Sequence, residues 1–132
     1  MRLCQLEFFS YDVEASLQFT GAVLGWTRVP VAIQDQSVIA VASDSPYGIS
    51  IRKRSKKANP GQPGQPPLLA YFEVDQKLAV LREQCLALGA LIVQEPMIVT
   101  GYGVVMIVED RGGLRFGLYE ARFVGPRHAV PF

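Results

Sequence analysis

The chain has 132 residues, a formal net charge of +1 and 49% hydrophobic residues. That length suits one domain, or two small half-domains that cannot stand apart, with a core of real size. The near-neutral charge gives no general drive toward nucleic acid or acidic membrane, and no apolar run reaches the roughly 18 residues that a spanning helix needs.

Residues 3–10 read as a strand. Side chains alternate along it, so Gln5 and Glu7 share one face and Cys4, Leu6 and Phe8 the other. Glu7 also interrupts what would be the apolar part of a secretion signal, so a cytoplasmic location is expected. Asp12 stands where a helix N-cap belongs, with Glu14 adding favourable charge to the first turn. Val13, Leu17, Val23 and Leu24 give that helix its apolar stripe, and Gly25 ends it. Trp26 opens a strand to about residue 34, residues 34–37 form a hairpin turn, and 38–42 is the next strand. A turn at 43–46 leads into a fourth strand, 47–53, with Ser50 and Arg52 opposite Ile49 and Ile51.

Arg52, Lys53, Arg54, Lys56 and Lys57 place five basic residues in six positions. They are either a solvated strand end or an anion site; Arg52 is the member placed to face a cleft. Residues 55–67 hold four prolines and two glycines and read as an exposed connector.

The second half repeats the first. Residues 68–74 form a strand, Asp75 takes the N-cap position, and Leu78, Leu81, Cys85, Leu86 and Leu88 line a helix that Gly89 closes. Strands follow at 90–94 and 97–100. After a bend at 100–103 comes a buried strand, 104–108. A glycine turn at 109–113, with its glycines at positive φ, leads to the last strand, 114–120. The tail from Ala121 is irregular, and His128 within it reads as solvated. Setting Phe9 on Phe72 also sets Asp12 on Asp75 and brings Gly25 within one residue of Gly89. One strand–helix–strands unit is therefore used twice, and the two sheets are expected to face each other around a cleft. Cys4 and Cys85 form no framework; one disulfide is open to them, but reduced thiols are expected. No Ser-His-Asp or Cys-His arrangement and no phosphate-cradling loop is present.

The opening strand, Asp12, the helix and Leu24-Gly25-Trp26 resemble the opening of the vicinal oxygen chelate superfamily, the glyoxalase, bleomycin-resistance and extradiol dioxygenase group. Val108-Glu109-Asp110-Arg111-Gly112-Gly113-Leu114-Arg115-Phe116-Gly117-Leu118-Tyr119-Glu120 resembles its closing motif, D-P-x-G-N-x-x-x-(L/F)-x-E. The resemblance spans residues 3–120. Arg111 stands where Pro is usual, and Phe19-Thr20 where Phe-Tyr is frequent. It implies an α+β fold of two βαβββ modules, each forming half of a cup, in a homodimer whose modules are in some members exchanged between chains. In catalytic members the first and fourth strands of each module supply His, Gln or Glu to a divalent metal. Carried over, those positions fall on Gln5, Ser50, Leu68 or Leu69, and Gly117. Gln5 is an acceptable ligand and the other three positions are not, so no metal and no other cofactor is expected.

What the cup then offers is Gln5, Glu7, Ser50, Arg52, Tyr102, Arg115 and Tyr119 as ligand-binding candidates, with Leu69 as an apolar wall. Tyr71, Phe72 and Phe116 read as core. Glu7 and Arg52 could take opposite charges of one ligand, or Glu7 could pair with Arg52 or Arg115 and close the cup; both stay open. The expected function is binding of a small, aromatic or anionic molecule in a metal-free cup, with no nucleic-acid or membrane partner. The alternative is a lyase, isomerase or dioxygenase of the glyoxalase-like branch, with Glu7 as base or an atypical metal site.

Overall fold

A computed structural model of the chain describes residues 2–29, 38–54 and 68–122. It contains β1 (Gln5–Ser10), α1 (Val13–Leu24), β2 (Thr27–Arg28), β3 (Val38–Ala42), β4 (Gly48–Lys53), β5 (Tyr71–Glu73), α2 (Leu78–Ala87), β6 (Leu91–Val99), β7 (Gly103–Glu109) and β8 (Arg115–Ala121). Two mixed four-stranded sheets result, in the orders β1-β4-β3-β2 and β5-β8-β7-β6. The fold class is α+β, two βαβββ modules. The chain divides into two compact units, Met1–Gly64 with Asp110–Leu114, and Gln65–Glu109 with Arg115–Phe132. The expected turn at 34–37, the connector at 55–67 and the tail with His128 lie outside the described residues, as does the continuation of the strand that Trp26 opens.

In the first unit Asp12 caps α1 as expected, its Oδ1 accepting from the Ala15 amide at 3.1 Å. Gly25 ends the helix at φ +72°, its N–H returning to the Thr20 carbonyl. The parallel partners of β1 and β4 are Gln5 and Gly48, Leu6 and Ile49, Glu7 and Ser50, Phe8 and Ile51, Phe9 and Arg52. Phe19, Val23, Trp26, Val41, Ile49 and Ile51 are buried and form the core of this unit.

The turn at Asp110–Leu114 groups with the first unit, and its sequence explains why. Asp110 Oδ1 accepts from the amides of Gly112 at 2.8 Å and Leu114 at 2.9 Å, which shapes the turn. The Gly112 carbonyl accepts from the Tyr11 amide at 2.8 Å and from Ser10 Oγ at 3.4 Å. Ser10 Oγ also lies 2.7 Å from Ser16 Oγ, and both residues are fully buried. A Cβ on Gly112 would run into both hydroxyls and sit 2.8 Å from the Asp12 carbonyl. Only Gly113 needs its positive φ, +86°; Gly112 is glycine for space.

The second unit departs from expectation at its helix. α2 starts at Leu78, and Asp75 does not cap it; the cap position is Lys77, with no side-chain cap bond. Asp75 lies three residues before the first helical residue, too early for its short side chain to reach the orphan amides. Glu120 of β8 reaches them instead, its Oε1 accepting from the Leu78 amide at 2.7 Å. That bond holds the Glu120 carboxyl below its ordinary range, with Arg122 assisting. Leu78, Leu81 and Cys85 face the core, and burial pushes the Cys85 thiol up to about 11, so it is an inert core thiol.

β6 is one strand where two were expected. Glu95-Pro96 only shifts its register against β7. Pro96 is tolerated because β6 is the edge of its sheet, where a missing N–H breaks no interior ladder. Arg82 on α2 grips Glu95 with two bonds, 2.7 and 2.9 Å. No described helix is long and apolar enough to cross a membrane.

Gly112→Ala should cost about 1–3 kcal/mol, as overpacking does, read as a lower thermal midpoint. Adding Ser16→Ala should recover part of the loss. Glu120→Gln removes the carboxylate at the head of α2 and should cost about 1 kcal/mol at neutral pH. Because the native Glu120 pKa lies below the ordinary 4.5, this stabilisation is complete above that value and lost as pH falls through the native one. Thermal melts of both proteins from pH 7 downward should therefore converge in acid.

Candidate functional site

Strand parity decides which residues of the first sheet share a face. Arg28 of β2 reaches Glu14 of α1, 3.6 Å away, so Arg28 and its cross-strand partner Val41 lie on the helix side. Val41 pairs with Ile49, which puts Ile49, Ile51, Leu6 and Phe8 on that side too. The opposite face carries Gln5, Glu7 and Phe9 from β1 and Gly48, Ser50 and Arg52 from β4. These side chains engage each other. Gln5 Nε2 donates to Ser50 Oγ at 3.1 Å, and Arg52 Nε donates to Glu7 Oε1 in an ion pair. Gly48 leaves room for the Gln5 amide, which lies against it. Ser50 is buried, Glu7 and Arg52 are half-buried, and Phe9 is half exposed at 50%.

In the second sheet Glu120 marks the α2 side through its bond to Leu78. Alternation places Phe116 and Leu118 on that side with Glu120, and Phe72 touches Phe116 there with ring centroids 6.0 Å apart. Arg115, Gly117 and Tyr119 occupy the other face, with Tyr71 and Glu73 from β5. Arg115 Nε donates to Glu109 Oε1 at 2.9 Å, and Tyr119 Oη donates to the Tyr102 carbonyl at 3.0 Å. Tyr71 lies directly over Gly117: a Cβ there would collide with Cγ, Cδ1 and Cε1 of the ring.

The seven candidates thus fall into two groups. Gln5, Glu7, Ser50 and Arg52 converge on one face of the first sheet. In the second unit Arg115 and Tyr119 share a face, while Tyr102 sits in the turn before β7 and takes part through its backbone carbonyl. Tyr71, expected in the core with Phe72 and Phe116, stands on the opposite face of the sheet from both. Adjacent strand residues point to opposite faces, so Tyr71 cannot share the side of Phe72. That parity was the available signal.

The four metal-ligand positions that the resemblance implies can be tested against this chemistry. Gln5 donates its amide nitrogen to Ser50, so this pair offers at most one neutral amide oxygen and one hydroxyl. Leu69 offers no donor. Gly117 has no side chain and is covered by a ring. Among the described residues, no three His, Cys, Asp or Glu side chains come together as a metal would need. A divalent ion requires several fixed, mostly anionic donors, so the set does not fit one.

No protein-family model matches the sequence, and no curated protein matches it. Solved structures do match its fold. A glyoxalase/bleomycin resistance protein/dioxygenase family enzyme from Burkholderia phytofirmans PsJN is 18% identical, with 92% of this chain and 99% of that one covered and a TM-score of 0.72. A glyoxalase-related enzyme from Fulvimarina pelagi is 18% identical over 100% and 98%, with a TM-score of 0.69. The fosfomycin resistance protein FosX from Mesorhizobium loti is 15% identical over 92% of each chain, with a TM-score of 0.66. The chain shares its fold with these glyoxalase/bleomycin resistance/dioxygenase-type structures.

Proposed function

We propose that this protein binds a small aromatic anion without a resident metal, using the sheet face that carries Gln5, Glu7, Ser50 and Arg52. The observation that carries the reading is the pairing on that face. Gln5 donates to Ser50, and Glu7 holds Arg52 in place on a strand 45 residues away. A guanidinium so positioned offers a planar set of donors suited to a carboxylate or similar oxyanion. Phe9, on the same face and half exposed, adds apolar surface. A few polar anchors beside aromatic surface are what small-molecule sites present. In an enzyme with Glu7 as general base, that carboxylate would first have to give up its arginine partner. No observation favours that route over binding alone.

The test is calorimetric titration with 2-naphthoate in the presence of chelator. The wild type should bind saturably, with the chelator making no difference. Arg52→Gln should weaken binding by about tenfold, the cost of losing a charge-assisted contact. Glu7→Gln removes the anion that competes for Arg52, so it should tighten binding by a few-fold. Unchanged affinity in Arg52→Gln, or binding abolished by chelator, contradicts the reading.

A further inference from the structure

Phe9 is an exposed aromatic residue on a pinned stretch of backbone. It is 50% exposed, yet the residues on both sides of it are held. Phe8, on the helix side of β1, packs against Trp26 with ring centroids 6.0 Å apart. Ser10 is fully buried; its Oγ lies 2.7 Å from Ser16 Oγ, and its carbonyl accepts from the Arg54 amide at 2.7 Å. The Tyr11 amide donates to the Gly112 carbonyl at 2.8 Å. The place of Phe9 on the sheet is therefore fixed while half of the residue stays exposed.

Arg52 is the partner of Phe9 across the parallel ladder, so the two share a face, on strands about 4.8 Å apart. Glu7, which engages the Arg52 guanidinium, stands two residues before Phe9, about 6.6 Å back along the same face. All three belong to the first unit. A held cation and an exposed ring thus lie within the length of one small aromatic acid.

We infer that Phe9 is the specificity-determining residue of this face, selecting ligands with a flat aromatic ring among the monoanions that Arg52 can hold. The inference rests on the proposed binding function and assigns its ring selectivity to one side chain. A phenyl ring gains from a second ring set offset or edge-on, beyond what contact area alone gives. A saturated ring has no π face to offer. Arg52 cannot make the distinction, because an aromatic acid and its saturated counterpart present it with the same carboxylate.

Two probes matched in carbon skeleton and charge test this on the full chain, 2-naphthoate and decahydro-2-naphthoate. The wild type should prefer 2-naphthoate by about fivefold. Phe9→Leu keeps an apolar side chain without the ring; it should bind decahydro-2-naphthoate as before and lose the preference. Phe9→Tyr keeps the ring and should keep the preference. Thermal melts accompany each titration, and Phe9→Met replaces Phe9→Leu if that variant does not fold. A wild type that binds neither anion sinks the proposed function and this inference with it. A wild type that binds the two equally, or prefers the saturated acid, overturns the inference alone. So does a Phe9→Leu or Phe9→Met variant that retains the preference for 2-naphthoate.

Discussion

In each module the first strand pairs in parallel with the fourth, and the Gln5–Ser50 and Glu7–Arg52 contacts both come from that pairing. Parallel neighbours cannot be joined by a tight turn; a crossover must intervene. Here the crossover is a helix plus two strands. It carries Glu7 and Arg52 to one face although 45 residues separate them. The same geometry lays Tyr71 over Gly117. Because partners in a parallel ladder share a face, fixing one pair fixes the side of the sheet on which every other residue stands. The helices then claim one side of each sheet, leaving the other for polar and aromatic side chains.

The two modules use this shared plan differently. In the first, the face away from the helix is closed by a hydrogen bond and an ion pair between β1 and β4. In the second, the corresponding strands meet through a ring over a glycine. Among the described residues, neither module assembles a group of three His, Cys, Asp or Glu donors of the kind a divalent ion requires. The chain keeps the architecture of its structural relatives, while the expected ligand positions hold a Gln5–Ser50 hydrogen bond in the first module and leucine and glycine in the second. Function cannot be carried from fold to chain when the site residues differ in this way.

Much of this was legible from period-two alternation alone. Parity places Gln5 with Glu7 and Ser50 with Arg52 without any knowledge of register, and the duplicated strand–helix pattern supplies the α+β class. The failures have local causes. Asp12 and Asp75 occupy equivalent places in the repeat, yet only Asp12 caps, because α2 begins later relative to its strand. The residue that caps α2, Glu120, lies 42 positions away, and no local pattern announces it. The Gly112-Gly113 pair reads as two positive-φ residues, but Gly112 is required by two buried serine hydroxyls from a distant helix and strand. Pro96 reads as a strand break, but an edge strand can absorb it. Tyr71 was grouped with Phe72 and Phe116, although parity places it on the opposite face of the sheet.

The central claim is that the site works through side chains and holds no metal of its own. Elemental mass spectrometry tests it most directly. The purified protein would be measured before and after zinc, nickel, manganese and iron are offered in turn and dialysed away. The account predicts no metal retained near one equivalent per chain. One equivalent of any of these ions surviving dialysis would contradict it.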